Sequence, residues 1–351
     1  QFNRGNSLMS KHIIFYICVL CLCLFNLNCS QKTSTPSKIN GVSLVSTSEK
    51  VTSENLSSLK KINPNWIALI PYAFCRAGEP EVYYDSKKQW RGERPEGIKH
   101  AAKLAKKQGF KLMLKPQIWV GGEGWTGDFT LKSKADWQTW QNGYHNYILQ
   151  LAKLAEAEEI ELFCIGTELK IIATERPVFW QGLIKDVEKV YHGKLTYAAN
   201  WDNYQNINFW KSLDYIGIDA YFPLSQSKKP SVEELKLAWE KTATVLKKIS
   251  QQKEKPILFT EYGYRNIDKA AGNQWELPSS RHYRGELNND VQSNAYRAFY
   301  ETFWTKKWVA GGFLWKWFPK HGQMKSKKNS GYSPQHKPVE NVISEYYRNQ
   351  P

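Results

Sequence analysis

Eight short runs of β-branched, aromatic and aliphatic residues alternate with longer amphipathic stretches along this chain, and that alternation limits the fold more than any other feature. The runs are Ile39–Val45, Trp66–Ile70, Lys111–Leu114, Glu161–Thr167, Leu195–Ala199, Tyr215–Ile218, Pro256–Thr260 and Gly311–Leu314. Continuous apolar runs of this length between helical stretches read as parallel strands buried on both faces. The intervening segments carry helix signals. Ser53 reads as a cap for a helix over about 53–62, and Pro95 occupies a favoured first-turn position. A long helix over about 134–157 shows Trp137, Trp140, Tyr144, Ile148, Leu151 and Leu154 at helical spacing, a packing face. Further helices are read over about 177–191, 232–250, 290–305 and 339–347. Strand–helix units repeated eight times predict a single (β/α)8 barrel over residues 39–351, with no composition break for a second domain.

In such a barrel the strand C-termini form the functional face. Two runs end there on a carboxylate: Glu168 closes the fourth and Glu261 the seventh. A carboxylate in that position is costly to desolvate unless it is paired or used. The other strand ends deliver Asn200, Trp201 and Asp202 after the fifth, Asp219 and Tyr221 after the sixth, and Trp315 after the eighth. Arg76 follows the second, and Gln117 and Trp119 follow the third. Asp219 points either into the site or toward a strand-five neighbour.

Aromatic residues make up 14%, including 15 Trp and 19 Tyr. Part of that must fill the core, and the excess suits a surface that stacks on flat apolar faces, as sugar rings present. The formal net charge is +16, yet the lysines are dispersed along the helical segments with no nucleic-acid recognition motif beside them. The basic balance reads as a solvated face, with attraction to an anionic surface or an acidic glycan as a second reading. No metal-ligand spacing and no phosphate-binding glycine loop occurs, so neither metal nor cofactor is expected.

Residues 1–38 are set apart. Residues 1–8 precede the first plausible start. Met9 to His12 form a short positive region, and Ile13–Phe25 is an apolar run too short to span a bilayer comfortably. Cys29 follows, then a polar stretch from Ser30 to Lys38. This resembles a bacterial lipoprotein signal with Cys29 as the lipidated residue, which implies export and a membrane anchor. Of the remaining cysteines, Cys18, Cys21 and Cys23 lie in the apolar run, and only Cys75 and Cys164 belong to the body. Whether those two pair is open at this stage.

Three segments in order, Leu114-Lys115-Pro116, Ile165-Gly166-Thr167-Glu168-Leu169 and Thr260-Glu261-Tyr262-Gly263, resemble glycoside hydrolase family 113. The resemblance extends from about Gly41 to Trp317. That family contains endo-β-1,4-mannanases of a large clan of retaining barrel glycosidases. The resemblance implies Glu168 as general acid/base, Glu261 as nucleophile, and a polysaccharide or oligosaccharide of β-linked mannose as substrate. Retention requires two carboxyls ~5–5.5 Å apart, one ionised and one protonated. Tyr221 would hold Glu261, Trp315 would floor the subsite where the bond breaks, and Arg76 would support the nucleophile electrostatically. Asn200 and Trp201 would bind the next sugar, and Trp119 would offer a rim platform. One departure is visible. The clan usually places Asn before the acid/base, where it binds the sugar 2-hydroxyl, whereas this chain has Thr167, so Asn200 or Gln117 would have to supply that donor. The competing readings are a barrel glycosidase acting on another, acidic glycan, and a non-catalytic glycan-binding lipoprotein. A surface adhesion protein, supported only by the anchor, is the remaining alternative.

Overall fold

The computed structural model describes residues 37–122, 125–275, 285–320, 322 and 329–348. The signal-like segment and Cys29 lie outside the described residues. Eight parallel strands close into a barrel: β1 (Ile39–Leu44), β2 (Trp66–Leu69), β4 (Lys111–Leu114), β6 (Leu162–Thr167), β7 (Lys194–Asn200), β8 (Ile216–Asp219), β9 (Ile257–Tyr262) and β10 (Val309–Trp317). Their order around the barrel is their order in the chain, and β1 pairs with β10 to close it. The helices are α1 (Ser53–Ser57), α2 (Pro95–Lys107), α3 (Lys134–Ala157), α4 (Lys170–Glu175), α5 (Pro177–Glu188), α6 (Val232–Lys253), α7 (Asn289–Phe303) and α8 (Val339–Arg348).

Two hydrophobic layers hold this arrangement. Inside the barrel, Ile39, Ala68, Met113, Leu162, Leu258 and Phe313 form a plug. Glycine is required at position 41, because a Cβ there would lie 2.2 Å from the Phe313 ring. Between strands and helices the core is strongly aromatic. Trp140 stacks on Tyr144 at 4.8 Å between ring centroids, and Trp180 stacks on Phe209 at 5.2 Å. The α3 aromatics are therefore packing, as their spacing predicts, and all six residues of the predicted face are buried.

Three local readings change. Thr52, not Ser53, caps α1: its hydroxyl accepts from the Asn55 N–H at 3.3 Å, and Ser53 already lies in the first turn. The helix then tightens into a 3₁₀ segment over Ser58–Ile62. The segments after the second and third barrel strands, which carry Arg76, Gln117 and Trp119 and are given no strand from the sequence, are in part strands: β3 (Tyr72–Arg76) and β5 (Gln117–Gly121). They pair in parallel and continue the neighbouring strands β2 and β4 past Pro71 and Pro116. Proline lacks the N–H a barrel ladder needs, so each strand breaks there and resumes as a two-stranded ribbon above the mouth. This ribbon lifts Gln117 and Trp119 to the functional face. Cys75 and Cys164 are both free and buried.

Candidate active site

Glu261 is the penultimate residue of β9 and is buried within a fully buried strand. Its carboxylate meets three donors. The Tyr221 hydroxyl donates to Oε2 at 2.6 Å, the Gln117 amide donates to Oε1 at 2.9 Å, and the Lys115 ammonium donates to Oε1. An ionised carboxylate has about four acceptor positions. Three fixed donors orient it and leave about one lone pair facing the cavity.

Lys115 has no exposed surface, and it also reaches Asp219 Oδ2 at 3.3 Å. Asp219 is equally sealed and accepts from the Thr260 hydroxyl at 2.7 Å. A buried charge persists only when it is paired and hydrogen-bonded. Burial works against the Lys115 ammonium, yet the adjacent Asp219 and Glu261 outweigh it and hold the lysine above its ordinary range.

Glu168 follows β6 in a left-handed backbone conformation (φ 53°), uncommon for a non-glycine residue. The turn is pinned by the Glu168 N–H on the Ala198 carbonyl at 2.8 Å and by the Leu169 N–H on the Tyr197 hydroxyl at 2.9 Å. Glu168 Oε2 accepts from the Trp125 indole N–H at 3.0 Å. Burial, and then the charge of Glu261, push the Glu168 carboxyl up to about 7, against the pull of the Trp125 hydrogen bond. Both glutamates line one cavity of about 950 Å³ at the C-terminal mouth of the barrel, at the upper end of the usual ~300–1,000 Å³ for ligand pockets. The arrangement supplies a protonated acid and a fixed carboxylate facing a common space.

The other predicted residues divide. Tyr221, Gln117, Trp119, Asn200, Trp201 and Trp315 all line the cavity. Trp119 is 55% exposed at the rim. Trp201 stacks on Trp275 at 5.3 Å and 24° between planes. The Asn200 amide is engaged by Asp202 at 2.9 Å. Gln117 bonds to the Glu261 carboxylate, and its side chain also borders open cavity. The Thr167 hydroxyl is spent on the Pro116 carbonyl at 2.9 Å. The amide next to Glu261 therefore comes from the ribbon rather than from the residue before Glu168.

Two expectations are corrected. Arg76 does not reach the cavity: it ends β3 with 73% of its side chain exposed and pairs with Glu79 at 3.7 Å. The ribbon carries it past the mouth, and Lys115 provides the cation instead. Asp219 is no substrate contact, since with no exposed surface it serves Lys115 and Thr260. Sequence reasoning also missed Lys115, which bonds to Glu261, and the cavity residues Trp125, Tyr72, Trp275, Lys316 and the wall Asn329–Ser333. Lys115 had a signal: a lysine closing an apolar strand is as costly there as a glutamate. Trp125 and Trp275 had none, because loop residues reach the mouth only through the tertiary path.

The chain matches the model of Glycoside Hydrolase Family 113 over residues 45–337. Among solved structures it is similar to the GH113 β-mannanase AaManA from Alicyclobacillus acidocaldarius in complex with ManMIm. The TM-score is 0.77 and the identity 22%, covering 89% of this chain and 97% of that one. A GH113 β-1,4-mannanase complex gives a TM-score of 0.76 at 23% identity, over 89% and 99% of the two chains. More distantly, a β-glucuronidase from Ruminococcus gnavus gives 0.58 at 13% identity, over 89% of this chain and 50% of that one. No curated protein matches. With the family model covering most of the body and the barrel shared throughout, this chain is a glycoside hydrolase and belongs to Glycoside Hydrolase Family 113.

Proposed function

We propose that the protein hydrolyses β-1,4-linked mannan or manno-oligosaccharides with retention of configuration. The observation that carries this reading is the opposed setting of the two carboxyls in one cavity. Glu168 is raised to about 7, while Glu261 is oriented by Lys115, Gln117 and Tyr221. In the first step Glu261 attacks the anomeric carbon and Glu168 gives its proton to the departing glycosidic oxygen. The result is a glycosyl ester on Glu261 and a free leaving sugar. In the second step Glu168, now a base, takes a proton from water. That water displaces Glu261 from the same face that the leaving group occupied, which restores both residues. Trp315 and Trp201 provide apolar faces along the cavity. The mannan assignment draws on the family and on the mannanases whose barrel this chain shares.

The test is a glycan panel followed by Glu261→Gly with azide. Turnover lost in the variant and restored by azide as an inverted glycosyl azide supports the nucleophile. Hydrolysis with inversion in the wild-type protein, read by product NMR, refutes the mechanism. Failure on β-mannans with activity on acidic glycans transfers the chemistry to the rival substrate class.

The polar stretch after Cys29 supports a further part of the reading, that the mature enzyme begins at an acylated Cys29 and acts from a membrane surface. Mass spectrometry of native material finding unmodified Cys29 would end that claim.

A further inference from the structure

Three lysines are associated with the cavity, and two have carboxylate partners. Lys115 is held by Asp219 and Glu261, and Lys170 by Asp202 at 2.7 Å. Lys316 differs. It follows Trp315 on β10 and lines the cavity. Its ammonium lies 5.0 Å from the Trp315 ring centroid and 5.6 Å from that of Phe318. Among the described residues, no ion pair or hydrogen bond engages its Nζ. Aromatic faces attract an ammonium without satisfying its three N–H donors. Burial accordingly holds Lys316 below the ordinary lysine range, with Glu261 opposing. A half-buried ammonium that faces a binding cavity needs an oxygen acceptor, and substrate is what enters there.

The charge balance indicates which oxygen. Among the described residues, three carboxyl groups line the cavity, Glu168, Asp202 and Glu261, against the one ammonium of Lys316. A cavity so lined has no net call for an anionic sugar, and a hydroxyl satisfies the donor without adding charge.

We infer that Lys316 is a substrate-contacting, specificity-determining residue, whose ammonium donates a hydrogen bond to a hydroxyl of the neutral sugar lying over Trp315. This rests on the glycosidase reading of the cavity above. It adds a discriminating contact: a sugar with no oxygen at that position is rejected, because its binding leaves the ammonium desolvated and unpaired.

The experiment pairs Lys316→Met, which keeps the aliphatic stem, with monodeoxy analogues of the manno-oligosaccharide substrate. Lys316→Met is expected to lower kcat/KM roughly ten- to hundredfold, the scale of a hydrogen bond to a charged donor. One monodeoxy analogue should cost the wild-type protein a similar factor and cost Lys316→Met almost nothing further. Lys316→Arg should recover part of the loss. Unchanged kcat/KM in Lys316→Met overturns the inference, as does an equal additional loss on every analogue, which would mean packing alone. Loss confined to uronic-acid oligosaccharides overturns the hydroxyl assignment in favour of a carboxylate. Glu168→Gln on the same substrates separates the two levels: if that variant keeps normal turnover, the reading of the site fails. If wild-type protein leaves manno-oligosaccharides intact, the mannan reading fails, and the same pairing is run on the panel glycan that is cleaved.

Discussion

The position of Glu168 leads to a quantitative pH prediction. In the proposed mechanism the first chemical step needs this carboxyl protonated. At an ordinary value near 4.5, only about 0.3% would be protonated at pH 7; raised to about 7, about half is. The environment thus multiplies the competent form by more than a hundred, equivalent to roughly 3 kcal/mol at about 1.36 kcal/mol per pH unit. Above pH 7 the competent fraction falls tenfold per unit, so kcat/KM on an unactivated oligosaccharide should show an alkaline limb near 7. With an aryl glycoside whose leaving group departs unaided, Glu168→Ala should keep much of its first-step rate and lose that limb. Trp125→Phe should move the limb upward, because the indole N–H stabilises the charged form. Stability carries the opposite sign. Folding raises this carboxyl, so the native state binds more protons and the group's contribution falls as pH rises from about 4.5 to about 7. Glu168→Gln should therefore gain stability relative to wild type across that window, by less than the 3 kcal/mol ceiling because Glu168 is partly open to the cavity. Denaturant titrations at pH 4.5 and 8 measure the difference. A flat kcat/KM from pH 6 to 9, or a limb unmoved by Trp125→Phe, would refute the reasoning.

Lys115→Met should strand Asp219 and Glu261 without their counter-charge, destabilising the fold by about 3–5 kcal/mol in denaturant melts. A loss below about 1 kcal/mol would mean that the two carboxylates do not depend on it. Trp315→Ala should lower kcat as well as kcat/KM, since a ring under the reacting sugar tightens toward the transition state. Trp201→Ala should act mainly on KM, within the ~1–3 kcal/mol measured for bases stacked on aromatic rings. Equal KM-only effects of the two variants would make Trp315 an ordinary platform.

The barrel was legible because its signals are local. Strand and helix periods differ, and each apolar run had to be buried on both faces. Glu168 and Glu261 were legible because a strand-end carboxylate has a desolvation cost that reads directly from the residue before it. The α3 aromatic face was legible from spacing alone. The ribbon β3–β5 was not, since Pro71 and Pro116 look like strand terminators, and only pairing across two distant segments restores the strands. That pairing also decided which cation serves Glu261. The sequence reading points to Arg76, after the second strand, and passes over Lys115, after the third. In the fold the ribbon carries Arg76 into solvent, while Lys115 lies below the break, sealed between Asp219 and Glu261.

The amino-acid sequence by itself determined the barrel, the order of its strands and the residues at their ends, because period and desolvation act over a few neighbouring residues. The tertiary structure alone decided which of those residues meet. Trp125 reaches Glu168 across 43 positions and Lys115 reaches Glu261 across 146, and no local term reports a distance of that kind. The raised position of Glu168 comes from burial and from the charge of Glu261, and both act on it only once the barrel has closed.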